Sequence, residues 1–260
     1  MNTTQITFLG TTACIFDKND DTPSFVINDK YLFDTGFALV NNLVNHNYMP
    51  TDIQYLFFTH MHHDHYMGLP SLLFYYVQTG ADLTKLKIIG PKNDVRRIVE
   101  KAVEFLEIPK FWKNAGMPEI IETEGGDTFE TEDMLFETVC SQHPVQGLCY
   151  RMTDKNTGKV ICATGDTAVN DALPEFFKNC DALIHEISLG CKENTPGFVH
   201  PSGHSTISEA IKLASEVKTK KLFFVHSSRQ TANHAVVLAN QRVAGLEAIN
   251  PIIGEKYRID

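Results

Sequence analysis

The chain has 260 residues, 43% hydrophobic and 21% charged, with a net charge of −9. That acidic balance argues against a protein that grips long nucleic acid, because backbone binding rests on clustered Lys and Arg. No apolar run is long enough for a membrane helix, and MNTTQITFLG has no basic region leading into an apolar one, so neither a membrane span nor a signal peptide is expected.

In chain order, ITFLGTTACIF (6–16) and SFVINDKYLFDTGFALV (24–40) read as strands that stop at Gly or Asp-Thr-Gly. TDIQYLFFTH (51–60) is a dense apolar run that suits a buried strand. LPSLLFYYVQTG (69–80) reads as a helix, with Pro70 near its start and Gly80 after it. Its Phe74, Tyr75 and Tyr76 suit either core packing or a dimer face. KLKIIGP (85–91) is another strand, and 93–107 a helix capped by Asn93 or Asp94. Lys85 to Lys113 holds eight basic residues, but interleaved acids make it a mixed helix surface. Glu122 to Glu137, with seven acids and no base, reads as a solvated loop and strand face.

Next come strands at MLFETVCSQH (134–143), GLCYRMTD (147–154) and KVICATGDT (159–167), the last two joined by a KNTG turn. The final third alternates: helix at 172–180, strand at 181–188, helix at 205–217, strand at 221–228, helix at 230–245. A capping box is expected from Thr206 to Glu209. Six cysteines form no CxxC; Cys140, Cys149 and Cys162 lie in apolar runs, which suits buried thiols in a reducing cytoplasm. No repeat or linker divides the chain, so one domain over 1–260 is expected, with layered sheets covered by helices.

The chemistry concentrates in THMHHDH (59–65), directly after a buried strand. Residues i and i+2 on an extended segment point the same way, so His60 and His62 can share one target. Asp64 and His65 follow once the chain turns and can face a second. Imidazole and carboxylate suit zinc and similar ions. Three more strand ends carry ligand types: His143, Asp166 and His226.

This set, HxHxDH at 60–65 followed by His143, Asp166 and His226, resembles the metallo-β-lactamase superfamily. The resemblance implies an α/β fold, an αββα sandwich with a dinuclear site at one sheet edge. It implies that His60, His62, His143 and Asp166 hold one ion, and that Asp64, His65, Asp166 and His226 hold the other, Asp166 bridging. Two zinc ions are implied, with manganese as the alternative. Asp34, in LFDTG, would brace the site without binding metal. ITFLGTTA, HEIS (185–188), GHSTISEA (203–210) and the Tyr150-Arg151 pair resemble segments of the ribonuclease Z group. HSSR (226–229) resembles its last motif with one residue fewer.

The tRNA-processing members of that group carry a long arm between the third-motif histidine and the bridging aspartate. From His143 to Asp166 this chain leaves room only for two strands and a turn. It is therefore more similar to the arm-less phosphodiesterases, among them the anti-Pycsar enzymes, which open 3′,5′-cyclic nucleotides. The resemblance implies a cytoplasmic homodimeric hydrolase in which a hydroxide between the metals attacks phosphorus. Asp64 would orient that hydroxide, and His204, held by Glu186, would protonate the leaving oxygen. Ser228, Arg229 and His200 are candidate substrate contacts. A tRNA 3′ endonuclease, or a hydrolase of lactones, β-lactams or aryl sulfates, remains the alternative.

Overall fold

The structure, a computed structural model, describes residues 3–192 and 201–260. Seven strands form a first sheet: β1 (Thr4–Gly10), β2 (Ser24–Ile27), β3 (Tyr31–Phe33), β4 (Tyr55–Phe57), β5 (Lys87–Pro91), β6 (Glu119–Thr123) and β14 (Lys256–Ile259). Their order is β14-β1-β2-β3-β4-β5-β6. A second sheet contains β7 (Thr128–Glu130), β8 (Met134–Cys140), β9 (Leu148–Asp154), β10 (Val160–Ala163), β11 (Ala182–Glu186), β12 (Lys221–Val225) and β13 (Glu247–Ile249), ordered β13-β12-β11-β10-β9-β8-β7.

The sheets face each other across one apolar layer containing Ile6, Phe33, Phe57, Phe136, Tyr150 and Phe223. An aromatic ladder crosses it. Phe25 stacks on Phe33 and Phe33 on Phe57, each at 4.8 Å, and Phe57 meets Phe136 of the opposite sheet at 4.3 Å. Offset-stacked rings add about 0.5–1.5 kcal/mol per pair beyond their burial. Phe57 ends β4 three residues before His60, so the ladder anchors the strand that delivers the first ligand.

Helices cover both outer faces. On the first sheet lie α1 (Leu39–Asn45), α3 (Leu69–Thr79), α4 (Asp94–Phe105) and the short α5 (Ile108–Phe111), burying Leu43, Leu72, Val95 and Val99 against it. The second is covered by α6 (Leu173–Phe176), α7 (Ile207–Val217) and α8 (Arg229–Arg242), through Leu173, Ile211, Ala214 and Ala235. The layers are therefore αββα. The Thr206–Glu209 capping box is formed, and Gly80 closes α3 in the left-handed region. Among the described residues, no helix is long and apolar enough to cross a membrane.

Some expectations change. The first strand stops at Gly10, after a register shift between Phe8 and Gly10, and the close approach of the Thr22 carbonyl oxygen, 1.9 Å from where a Cβ would sit, requires glycine there. The run 24–40 is two strands joined through Asn28 and Asp29, both at positive φ, and its last two residues open α1. Asn93 takes the N-cap position of α4, but its side chain makes no cap hydrogen bond. Cys149, Cys162 and Cys180 are buried thiols, whereas Cys140 is exposed where β8 leaves the sheet. Tyr76 is core, while Phe74 of the same helix is 43% exposed.

β3 to β6 run parallel, as do β10 to β13. Parallel strands end on a common edge, where their loops gather ligands. Asp34, His60, Asp166, Glu186 and His226 all sit on that edge, at or just past the ends of β3, β4, β10, β11 and β12. Backbone bonds join the sheets there: Leu148 N–H donates to Thr59 O at 2.8 Å, and His226 N–H to Thr11 O at 2.7 Å.

Candidate metal centre

His60 follows β4 and bridges antiparallel to Gly147, His62 is extended, and a short helix, α2 (His63–Tyr66), begins directly after it. The turn into α2 sends Asp64 and His65 inward while His63 stays exposed. His60, His62, His143 and Asp166 each offer an atom within 4.8 Å of the others, and so do Asp64, His65 and His226. Asp166, His204 and His226 form a third such set. All seven sequence-predicted ligands thus meet at one edge.

The outer nitrogen of most of these histidines is held. His65 Nδ1 donates to Asp34 Oδ2 at 2.9 Å, and His143 Nδ1 to Gly203 O at 2.8 Å. Thr59 donates to Asp34 from both N and Oγ1 at 2.8 Å, leaving Oγ1 to accept from His60 Nδ1 at 3.2 Å. Such contacts fix which ring nitrogen keeps its lone pair for a ligand. Asp34, at φ 53°, is thus placed as a brace.

The inner atoms fit cations. His60 Nε2 and His143 Nε2 converge on His62 Nδ1 at 3.1 and 3.0 Å. With the outer nitrogens carrying the protons, these face each other largely as lone pairs, which repel unless a cation sits among them. His65 Nε2 and Asp166 Oδ1 are buried and, among the described residues, have no hydrogen-bond partner, although buried polar atoms are nearly always satisfied. Asp166 Oδ2 lies 3.5 Å from both His60 Nε2 and His65 Nε2, and 3.3 Å from His226 Nε2, central to both sets.

Ligand chemistry needs neutral imidazoles and ionised carboxylates. His65 departs from this: burial lowers its pKa, but Asp166 and then Asp34 raise it well above the usual histidine range. Burial pushes His60 well below the usual histidine range and lowers His62 and His143. Burial alone would raise Asp166, but the rings of His226, His65 and His60 hold it well below the carboxylate range. Asp64 is likewise lowered: burial opposes, and His226 and His65 prevail.

His204 stands beside this cluster, its ring 5.4 Å from that of His226. Its Nδ1 donates to Glu186 Oε1 at 2.9 Å. Burial lowers its pKa, and Glu186 and then Asp166 raise it to a net upward shift. Ser228 caps α8, its Oγ accepting from Thr231 N–H at 3.2 Å. Arg229 Nη1 reaches Asp20 Oδ2 at 3.4 Å. Both side chains therefore have local partners. His200 lies outside the described residues. Buried His185 faces its own strand, Nδ1 donating to Glu186 O at 2.6 Å. No role was expected of Thr59, Gly203 and Ser188, which hold candidate ligands; they lie within THMHHDH, GHSTISEA and HEIS, but only the folded contacts show what each touches.

Fold and site define a metallo-hydrolase of the metallo-β-lactamase superfamily, on its ribonuclease Z-like branch. The chain belongs to the family described as "Anti-Pycsar protein Apyc1", whose model matches residues 4–245. It is 28% identical to a ribonuclease Z of Oceanobacillus iheyensis, over 88% of this chain and 90% of that one. Among solved structures it is similar to the metallo-beta-lactamase fold protein YhfI of Bacillus subtilis, with a TM-score of 0.80, 19% identity, and 99% and 100% of the two chains covered. It is also similar to the short form of human tRNase Z, with a TM-score of 0.76, 22% identity, and 98% and 99% covered.

Proposed function

We propose that this enzyme hydrolyses small phosphodiesters, with 3′,5′-cyclic nucleotides as its substrates. The observation that carries the reading is the His204–Glu186 pair, seated against Asp166 where a leaving oxygen would emerge. The family match supports the same substrate class.

His60, His62, His143 and Asp166 would hold one zinc, and Asp64, His65, Asp166 and His226 the other, with manganese as the alternative. When bound, the two ions supply a water that ionises near neutral pH and positive charge for the phosphoryl oxygens. Asp64, buried and 3.2 Å from His226 Nε2, would orient the attacking water. His204 would protonate the leaving alkoxide from Nε2, since Glu186 occupies Nδ1. Arg229 and Ser228 would touch non-reacting phosphate or sugar oxygens.

Two observations favour a small substrate. From His143 to Asp166 the chain is filled by β9, the turn 155–158 and β10, leaving no segment to clamp a tRNA. Three basic residues of α4 and its flank are engaged as well: Arg96 with Glu122, Arg97 with Asp94 and Lys92 with Glu124. The ribonuclease Z relatives keep tRNA 3′ cleavage as the second reading. We further propose a cytoplasmic homodimer, formed through the exposed apolar groove of Phe37, Val44 and Phe74.

The test is a substrate panel, with and without chelator: bis-p-nitrophenyl phosphate, cyclic mononucleotides, cyclic dinucleotides, precursor tRNA and nitrocefin. Chelator-sensitive opening of cyclic mononucleotides is expected. Cleavage of precursor tRNA alone would overturn the proposal.

A further inference from the structure

Of the candidate ligands, His226 and His60 are supported through a hydroxyl, and the hydroxyl on His226 is the closer. His65 leans on a carboxylate and His143 on a backbone carbonyl, two of the usual partners for a metal-binding imidazole. His226 Nδ1 instead meets a hydroxyl, Ser188 Oγ, at 2.6 Å. The same hydroxyl lies 2.6 Å from Glu186 Oε2. His226 itself sits at φ 56°, a left-handed conformation in which a non-glycine residue is held only by its surroundings.

Proton counting orients the chain of bonds. Glu186 is 1% exposed, and its oxygens face five donor groups. Oε1 accepts from His204 Nδ1 and from the backbone N–H of Thr167 and Ser205. Oε2 accepts from the backbone N–H and the hydroxyl of Ser188. An ionised carboxylate only accepts, and a serine hydroxyl has one proton to give. Besides Glu186 Oε2, the hydroxyl also faces the His226 carbonyl oxygen at 3.0 Å; whichever of these two oxygens takes its one proton, Oγ can only accept from the ring, so His226 carries its proton on Nδ1. Nε2 is then left with its lone pair, 3.2 Å from Asp64 Oδ2 and 3.3 Å from Asp166 Oδ2.

We infer that Ser188 is a positioning residue that locks His226 in the Nδ1–H tautomer and ties it, through Glu186, to His204. One buried carboxylate thereby orients a metal ligand on one side and the proton donor on the other. The arrangement is a carboxylate–histidine–metal triad with a serine inserted, and it makes the second ion and His204 share a support. Its His204 half rests on the proposed function; its His226 half rests only on His226 being a ligand.

The experiment compares wild type, Ser188→Ala and Ser188→Thr. Zinc affinity and stoichiometry are read by chelator competition, the His226 ring tautomer by nitrogen NMR of the zinc-loaded protein, and turnover on bis-p-nitrophenyl phosphate. Ser188→Ala should bind the second zinc about 10–100-fold more weakly. His226 should lose its fixed Nδ1–H signature, and Ser188→Thr, which keeps the hydroxyl, should restore both. Two zincs held at wild-type affinity by Ser188→Ala, with the tautomer unchanged, would overturn the inference and leave the metal centre standing. Failure of Ser188→Thr to restore what Ser188→Ala loses would overturn it too. A wild type that binds fewer than two zincs would overturn both this inference and the dinuclear reading.

Discussion

His204 Nδ1 lies 2.9 Å from Glu186 Oε1, and that single bond turns the other ring nitrogen into the one available for chemistry. The pair is held from outside the metal cluster: Glu186 ends β11, while His204 follows Gly203, whose carbonyl anchors His143. The proposed proton donor and the candidate ligand His143 are thus set by one turn. His204→Ala should keep two metals and lower kcat by about 10²–10⁴-fold, most on substrates with poor leaving groups. Wild-type turnover of an alkyl phosphodiester by this variant would remove the acid assignment.

Asp166 reaches histidines of both ligand sets, and among the described residues its buried Oδ1 has no hydrogen-bond partner. Asp166→Ala and Asp64→Ala should each abolish hydrolysis and lower the metal count measured by elemental analysis. Chelation of the wild type should reduce thermal stability, since an ion that binds only the folded state adds about 2.7 kcal/mol when present at 100 times its Kd. A melting temperature indifferent to chelator would argue that the cluster binds no ion.

Gly165 immediately precedes Asp166 at φ 55°, and a Cβ there would sit 2.7 Å from Thr59 Cβ. Thr59 in turn supports Asp34 and His60. Gly165→Ala should therefore cost about 1–3 kcal/mol in strain and also weaken metal binding, because both sides of the contact carry ligands. Unchanged denaturant midpoint and metal content would show that the turn relaxes freely.

The layers, and the gathering of the candidate ligands at one edge, were legible in the sequence because both depend on local pattern. Buried strands are dense apolar runs, and each ligand sits where such a run stops. Leu39–Asn45 places its apolar residues four apart, at 39/43 and 40/44, with Leu39 and Leu43 buried, a helical spacing hidden because the strand-like run before it continues to Val40. What else escaped depends on contacts distant in the chain. β14 pairs with β1 across the whole chain length. Ser188 looked like the tail of a strand, and its meaning comes only from His226, 38 positions away.

The exposed Phe37, Val44 and Phe74 make a specific claim about assembly. Sedimentation at micromolar concentration should show a dimer, and Phe74→Glu should shift it to monomer by placing a charge in the apolar contact. A wild type that sediments only as monomer would contradict the dimer.

The most direct test of the central claim is incubation of zinc-loaded protein with a 3′,5′-cyclic nucleotide in ¹⁸O-labelled water. The account predicts a linear nucleoside monophosphate carrying one labelled phosphate oxygen, formed only without chelator. An intact cyclic nucleotide alongside efficient cleavage of precursor tRNA would contradict it.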